Sequence, residues 1–223
     1  KKHLPFDFFI FYKPKDIVSG DFYWATKKNT NFYIAVCDST GHGVPGAMVS
    51  VVCTNALNRA VDEFKLKYTG KILDKTRDLV LETFAKSGEE IKDGMDISLL
   101  CINNAKKQIY WSGANNQLWY LSSSNNQTAV MNEIKANKQP IGKTDNPKPF
   151  TTHTLELNTG DIFYLMTDGF ADQFGGPKGK KFMYKQLKEL LVSISQLPLS
   201  QQKETLQTEF MKWKQDMEQV DDV

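Results

Sequence analysis

The sequence predicts an α/β sandwich of antiparallel sheets. Two observations carry that prediction. Strand-like apolar runs come in separate batches, and the helical stretches come in pairs, which argues against alternating β-α-β units. Twice, an apolar strand ends on an acid beside a glycine, at Asp38 with Gly41 and at Asp168 with Gly169. The length of 223 residues suits one large domain or two small ones. A fold of that size buries about 70–75% of its unfolded surface, enough for a core without staples.

Each element follows from its local pattern. Phe8 to Lys13 reads as a first strand, and Pro14 to Asp21 turns the chain into a second, Phe22 to Lys28. The polar stretch Lys27 to Asn31 is a hairpin turn into Phe32–Asp38, an apolar run rich in aromatic and β-branched residues. Ala47 to about Leu66 carries Val51, Val52, Ala56, Leu57, Ala60 and Val61 at helical spacing, and Ile72 to about Ser87 repeats the pattern. Short strands follow at Ile97–Ile102, Gln108–Ser112, Gln117–Leu121 and Thr128–Glu133, with turns at Asn103-Asn104 and Ser122–Gln127. Asn137–Phe150 is a proline-rich loop, after which strands resume at Thr151–Leu157 and Asp161–Met166. Gly175–Gly179 is expected as a mobile loop. Phe182–Ser195 and Ser200–Met217 are amphipathic packing helices.

Composition narrows the function. A net charge of +2, with acids and bases mixed, gives no electrostatic case for nucleic acid or a membrane surface. No apolar run approaches the ~18 residues of a membrane span. Cys37, Cys53 and Cys101 lie in apolar segments and read as buried free thiols of a reducing, cytoplasmic compartment. The chain is expected to be one domain, residues 1–223, excised from a longer protein.

Asp21 begins one strand of the expected hairpin and Asp38 ends the other, so both stand at one edge of the sheet. Asp168 repeats the design, and Asp221-Asp222 closes the chain. The bland alternatives are helix caps for the strand-end acids and a solvated tail for the terminal pair. The chemical alternative is a set of hard oxygen ligands suited to Mg2+ or Mn2+ rather than zinc or copper. Clustered carboxylates repel unless cations neutralise them. Two metals ~3.5–4 Å apart hold and activate a water for in-line attack on phosphorus. That points to hydrolysis of a phosphate ester.

Seven motifs in order then carry a resemblance over nearly the whole chain. They are Ser19-Gly20-Asp21-Phe22-Tyr23-Trp24, Asp38-Ser39-Thr40-Gly41-His42-Gly43-Val44-Pro45-Gly46-Ala47, Gly94-Met95-Asp96-Ile97-Ser98-Leu99-Leu100, Trp111-Ser112-Gly113-Ala114-Asn115-Asn116, Gln139-Pro140-Ile141-Gly142, Thr167-Asp168-Gly169 and Val220-Asp221-Asp222. The chain resembles the SpoIIE-type protein serine phosphatases, bacterial members of the metal-dependent PPM superfamily. The resemblance implies a four-layer α-β-β-α sandwich, with helix pairs flanking two antiparallel sheets and two Mn2+ or Mg2+ ions at one edge.

Carried over residue by residue, Asp38 bridges both metals and the Ser39 carbonyl completes one shell. Asp21 ligates the first metal; Asp168 and Asp221, preferred over Asp222, hold the second. Gly169 keeps the site open. Asp38 and His42 are the expected catalytic residues, His42 as a general acid or as a structural hydrogen-bonding group. Asp96 is expected as a strand-start cap, with contact to a metal or to substrate as the alternative.

The implied reaction is hydrolysis of phosphoserine or phosphothreonine on a regulatory protein, such as an antagonist of an anti-sigma factor, by a metal-bridged water or hydroxide. The implied partners are that phosphoprotein, an upstream sensor, receiver or repeat domain, and a second copy in a homodimer. No nucleic acid or direct membrane contact is expected. The alternative is a regulatory binding module that turns over slowly until activated, with the first helix pair as its switch. A metal-dependent nuclease is disfavoured by the missing basic groove. Two departures stand out: Thr40 occupies the superfamily's histidine position, two residues after the bridging acid, and no arginine is placed as a phosphate clamp.

Overall fold

The computed structural model describes residues 6–86, 93–123 and 130–223. A five-stranded antiparallel sheet is built from β1 (Phe22–Lys28), β2 (Asn31–Ser39), β3 (Met95–Asn103), β4 (Gln108–Ala114) and β7 (His153–Glu156), in that spatial order. A second sheet has the order β6 (Asn132–Ile134), β5 (Leu118–Leu121) and β8 (Ile162–Tyr164). The helices are α1 (Gly43–Asp62), α2 (Thr69–Ala85), the single turn α3 (Gly169–Asp172), α4 (Met183–Ile194) and α5 (Leu199–Lys214).

Period-two alternation sorts side chains between layers. On β2 and β3, Tyr33, Ala35, Cys37, Ile97, Leu99 and Cys101 face the helix pair and pack with Cys53, Leu57, Ala60, Ile72 and Leu73. The alternate positions, Ile34, Leu100 and Ile102, join Ile109, Trp111, Leu118 and Phe163 between the two sheets. Trp119, Leu121 and Tyr164 then meet Leu187, Leu191, Leu206 and Phe210 of α4 and α5. Three apolar layers thus separate four structural layers, and each fully buried large side chain contributes about 1.5–3 kcal/mol. The expected four-layer α-β-β-α sandwich is the observed fold. Inside it, the Trp111 indole N–H donates to Ser98 Oγ at 2.9 Å, so this buried ring leaves no orphan donor.

Several elements differ from their expected form. Phe8–Lys13 is not a strand: it runs irregularly and lays Phe9 and Phe11 into the α4–α5 layer. Among the described residues only Lys13 of this stretch pairs through its backbone, exchanging bonds with Val223 at 2.6 and 3.1 Å. Gly175–Gly179 is not an open loop but the tip of a small hairpin, β9 (Phe174–Gly175) with β10 (Lys180–Lys181). Gly175 and Gly176 lie against Trp213, where an added Cβ would collide. Helix α1 begins at Gly43 rather than Ala47, because Pro45 falls in the first turn, where its missing N–H is harmless. Ser87, part of the expected Ser122–Gln127 turn and the start of the strand expected from Thr128 lie outside the described residues. Cys37, Cys53 and Cys101 are buried and unpaired. Among the described residues no helix is long and apolar enough to cross a membrane.

Candidate active site

The register of the first sheet puts three acids in a row. Asp38 of β2 is paired with Asp96 of β3. Phe22 is paired with Cys37, which leaves Asp21 beside Asp38 on the other side. Asn115, just past β4, extends the row by donating from its amide to Asp96 at 2.8 Å. From the second sheet, the chain leaves β8 and delivers Thr167 to the Asp21 carboxylate and Asp168 to the same edge. Asp221 completes the set, acting on Asp21, Asp38 and Asp168. Six stretches of chain therefore converge where the two sheets end, four of them carrying Asp21, Asp38, Asp168 and Asp221.

The electrostatics are those of crowded anions. Asp38 is pushed up to about 9 by burial first, then by Asp21, Asp168, Asp221 and Asp96, all carboxylates. Burial and the terminal acids raise Asp21 to about 7, against hydrogen bonds from Thr167 and Asp38 that hold it lower. Burial, Asp221 and Asp172 carry Asp168 to about 6. Burial also raises Asp96, partly offset by Asn115. Burial and mutual repulsion thus raise Asp38 and Asp21 together.

The capping alternatives fail on geometry. Asp168 is the residue before α3, yet its side chain makes no cap hydrogen bond; His42 precedes α1 and makes none either. The terminal pair is not a solvated tail. Asp222 is 1% exposed, and its carboxylate accepts the backbone N–H groups of Lys15 at 2.8 Å, Gly20 at 2.9 Å and Asp21 at 3.4 Å. Asp221 accepts the Asp222 backbone N–H at 2.8 Å and acts electrostatically on Asp21, Asp38 and Asp168. Gly169 has a different reason from keeping the site open: a Cβ there would strike the Asp222 carbonyl. Ser39 is buried, its hydroxyl shared between the carbonyls of Gly20 and Gly46 (3.1 Å for the latter), which ties the Gly20 turn to the start of α1.

His42 stands exposed on the rim. Its Nδ1 lies 2.9 Å from Asp16, and the Lys15 ammonium lies 3.3 Å from Nε2. An ammonium has only hydrogens to give, so in this contact Nε2 accepts from Lys15, and the ring is held between Lys15 and Asp16. Sequence reasoning missed Lys15, Asp16, Thr167 and Asn115, none of which carries a periodic signal. Asp96 was read as a cap, although its motif sits on the strand next to Asp38.

Donor chemistry decides what the edge can hold. Carboxylate oxygens without histidine or thiol suit a hard divalent cation, and such a cation relieves the repulsion that raises Asp38. Among the described residues no three His, Cys, Asp or Glu side chains close into a finished ligand cage. The set fits Mg2+ or Mn2+ in donor type.

Comparison with known proteins agrees with this fold. The family described as Stage II sporulation protein E (SpoIIE) matches residues 28–223. The SiaA-PP2C domain of Pseudomonas aeruginosa superposes with a TM-score of 0.84 at 28% identity, covering 96% of this chain and 82% of that one. The PP2C phosphatase domain of SpoIIE from Bacillus subtilis, solved with a fragment of its regulatory domain, gives 0.69 at 17% identity; the match covers 95% of this chain but 59% of that one. RsbX in complex with magnesium gives 0.62 at 16% identity, covering 95% and 88%. The last two share the fold. No curated protein matches the chain.

Proposed function

The chain belongs to the SpoIIE family, whose relatives support phosphatase function in general, and on that premise we propose that it is a Mg2+- or Mn2+-dependent protein serine/threonine phosphatase. The observation that carries the reading is the convergence of Asp21, Asp38, Asp168 and Asp221 from four segments, three of them held above the usual carboxylate range by burial and neighbouring acids. Asp38, between Asp21 and Asp96 in the row and within the field of Asp168 and Asp221, is the acid that would share the ions with Asp21, Asp168 and Asp221. The Ser39 carbonyl is the further oxygen donor in this reading. Two such ions supply charge neutralisation and an activated water for attack on phosphorus.

The chain's own residues do the positioning. Asp222 fixes the Lys15–Asp21 turn, Thr167 orients Asp21, and Asn115 orients Asp96. The leaving serine oxygen takes its proton from water or from His42, whose ring Asp16 and Lys15 hold at the rim. The substrate is a phosphoserine or phosphothreonine protein, and an upstream regulatory module is the fitting partner. The test is phosphate release from a phosphoserine protein with and without Mn2+. Asp38→Ala and Asp168→Asn each lose at least about 100-fold in kcat while keeping native circular dichroism. Turnover equal to the unsubstituted protein in either variant refutes the assignment.

A further inference from the structure

A cation and an apolar ridge border the acid edge. Lys15 has its backbone N–H on Asp222 and its ammonium on His42, which Asp16 orients in turn. The loop is thereby tied to the acids on one side and to the start of α1 on the other. Gly43 makes the second tie possible: its φ is 63°, and an added Cβ would lie 3.2 Å from the Asp16 carboxylate. One of the three ammonium hydrogens serves His42, which leaves two for a ligand.

Apolar side chains stand on this frame without cover. Ile17, next to Asp16, is 102% exposed, and Val44, two residues past His42, is 66% exposed. Met48 and Val51 follow Val44 at i+4 and i+7 on α1, each 69% exposed. The core face of α1, through Val49, Cys53, Ala56, Leu57, Ala60 and Val61, already packs on the sheet. Helix α1 is therefore apolar on two faces, and a contiguous exposed apolar patch marks a site of contact.

We propose that this rim reads the substrate: Lys15 takes a phosphoryl oxygen, while Ile17, Val44 and Met48 take apolar side chains next to the phosphoserine. His42 and Asp16 are positioning residues for Lys15. Continuity with the acid edge and a cation at that end select a phosphorylated segment as the occupant. A regulatory helix or a second copy has no need of Lys15 there. The proposal rests on the phosphatase reading of the acids.

The test is Mn2+-dependent kinetics on two phosphoserine peptides, one flanked by Ile, Leu and Val, the other by Gly and Ser. The unsubstituted protein prefers the first about tenfold in kcat/KM, the effect of burying one such side chain. The double variant Ile17→Ser/Met48→Ser loses that preference through KM. Lys15→Met raises KM for both peptides about tenfold, and Lys15→Arg restores it. Equal use of both peptides by the unsubstituted protein, or an unchanged KM in Lys15→Met, overturns the proposal. So does a double variant that keeps its preference, including one whose oligomeric state or response to a regulator is all that changes. If the unsubstituted protein turns over neither peptide, the phosphatase reading itself has failed. Fluorescence anisotropy of the labelled peptides then judges the rim: a tenfold weaker grip by the double variant supports it, and equal binding overturns it.

Discussion

The carboxylate of Asp222 accepts the backbone N–H of Gly20 at 2.9 Å, although 202 residues separate the two in sequence. That bond, with those to Lys15 and Asp21, fastens the end of the chain to the turn that launches β1. The gap between Asp21 and Asp221 is set by it. The acid edge is thus a product of chain closure as much as of sheet register.

Asp222→Ala leaves buried N–H groups without an acceptor, at a cost of about 1–3 kcal/mol. Urea unfolding of the variant is expected to show a lower midpoint at unchanged slope, and Asp222→Asn to fall less far. A variant as stable as the parent would show that the clamp contributes nothing.

Gly169→Ala drives a Cβ into the Asp222 carbonyl. Forcing the two segments apart costs about 1–3 kcal/mol, and it moves Asp168 away from Asp221. Loss of both thermal stability and Mn2+ affinity is expected, measured by melting with and without Mn2+. A substitution that lowers neither would mean that the contact yields freely.

The raised acids make the metal-free protein less stable as pH rises. Asp168, Asp21 and Asp38 ionise near 6, 7 and 9 in the fold, but near 4 when unfolded. Between those limits the folded molecule holds protons that the unfolded chain has lost. Their contribution is fully present below about pH 4 and is lost as pH climbs to about 9. Urea midpoints in chelator are expected to fall from pH 5.5 to pH 9, with a shallower slope in Asp38→Asn. A midpoint that rises over the same interval would contradict the acid cluster.

Much of this was legible in the sequence because local pattern and tertiary demand agree. The apolar runs Phe32–Asp38 and Ile97–Ile102 marked both strands, observed as Asn31–Ser39 and Met95–Asn103, and the acid that ends the first run followed. Phe8–Lys13 was misread because its aromatic run has strand-like composition, while its partners are distant helices and a single residue, Val223. Gly175 and Gly176 carry a reason the sequence did not show, since the missing side chains admit Trp213. Lys15, Asp16 and Asn115 left no trace, since hydrogen bonds between distant loops impose no periodicity.

The most direct measurement is calorimetric titration of Mn2+ into the unsubstituted protein and into Asp38→Ala at pH 7. The account predicts two ions bound with release of protons in the former, and at most one weakly bound ion in a still-folded Asp38→Ala. Equal stoichiometry and affinity in the two would contradict it.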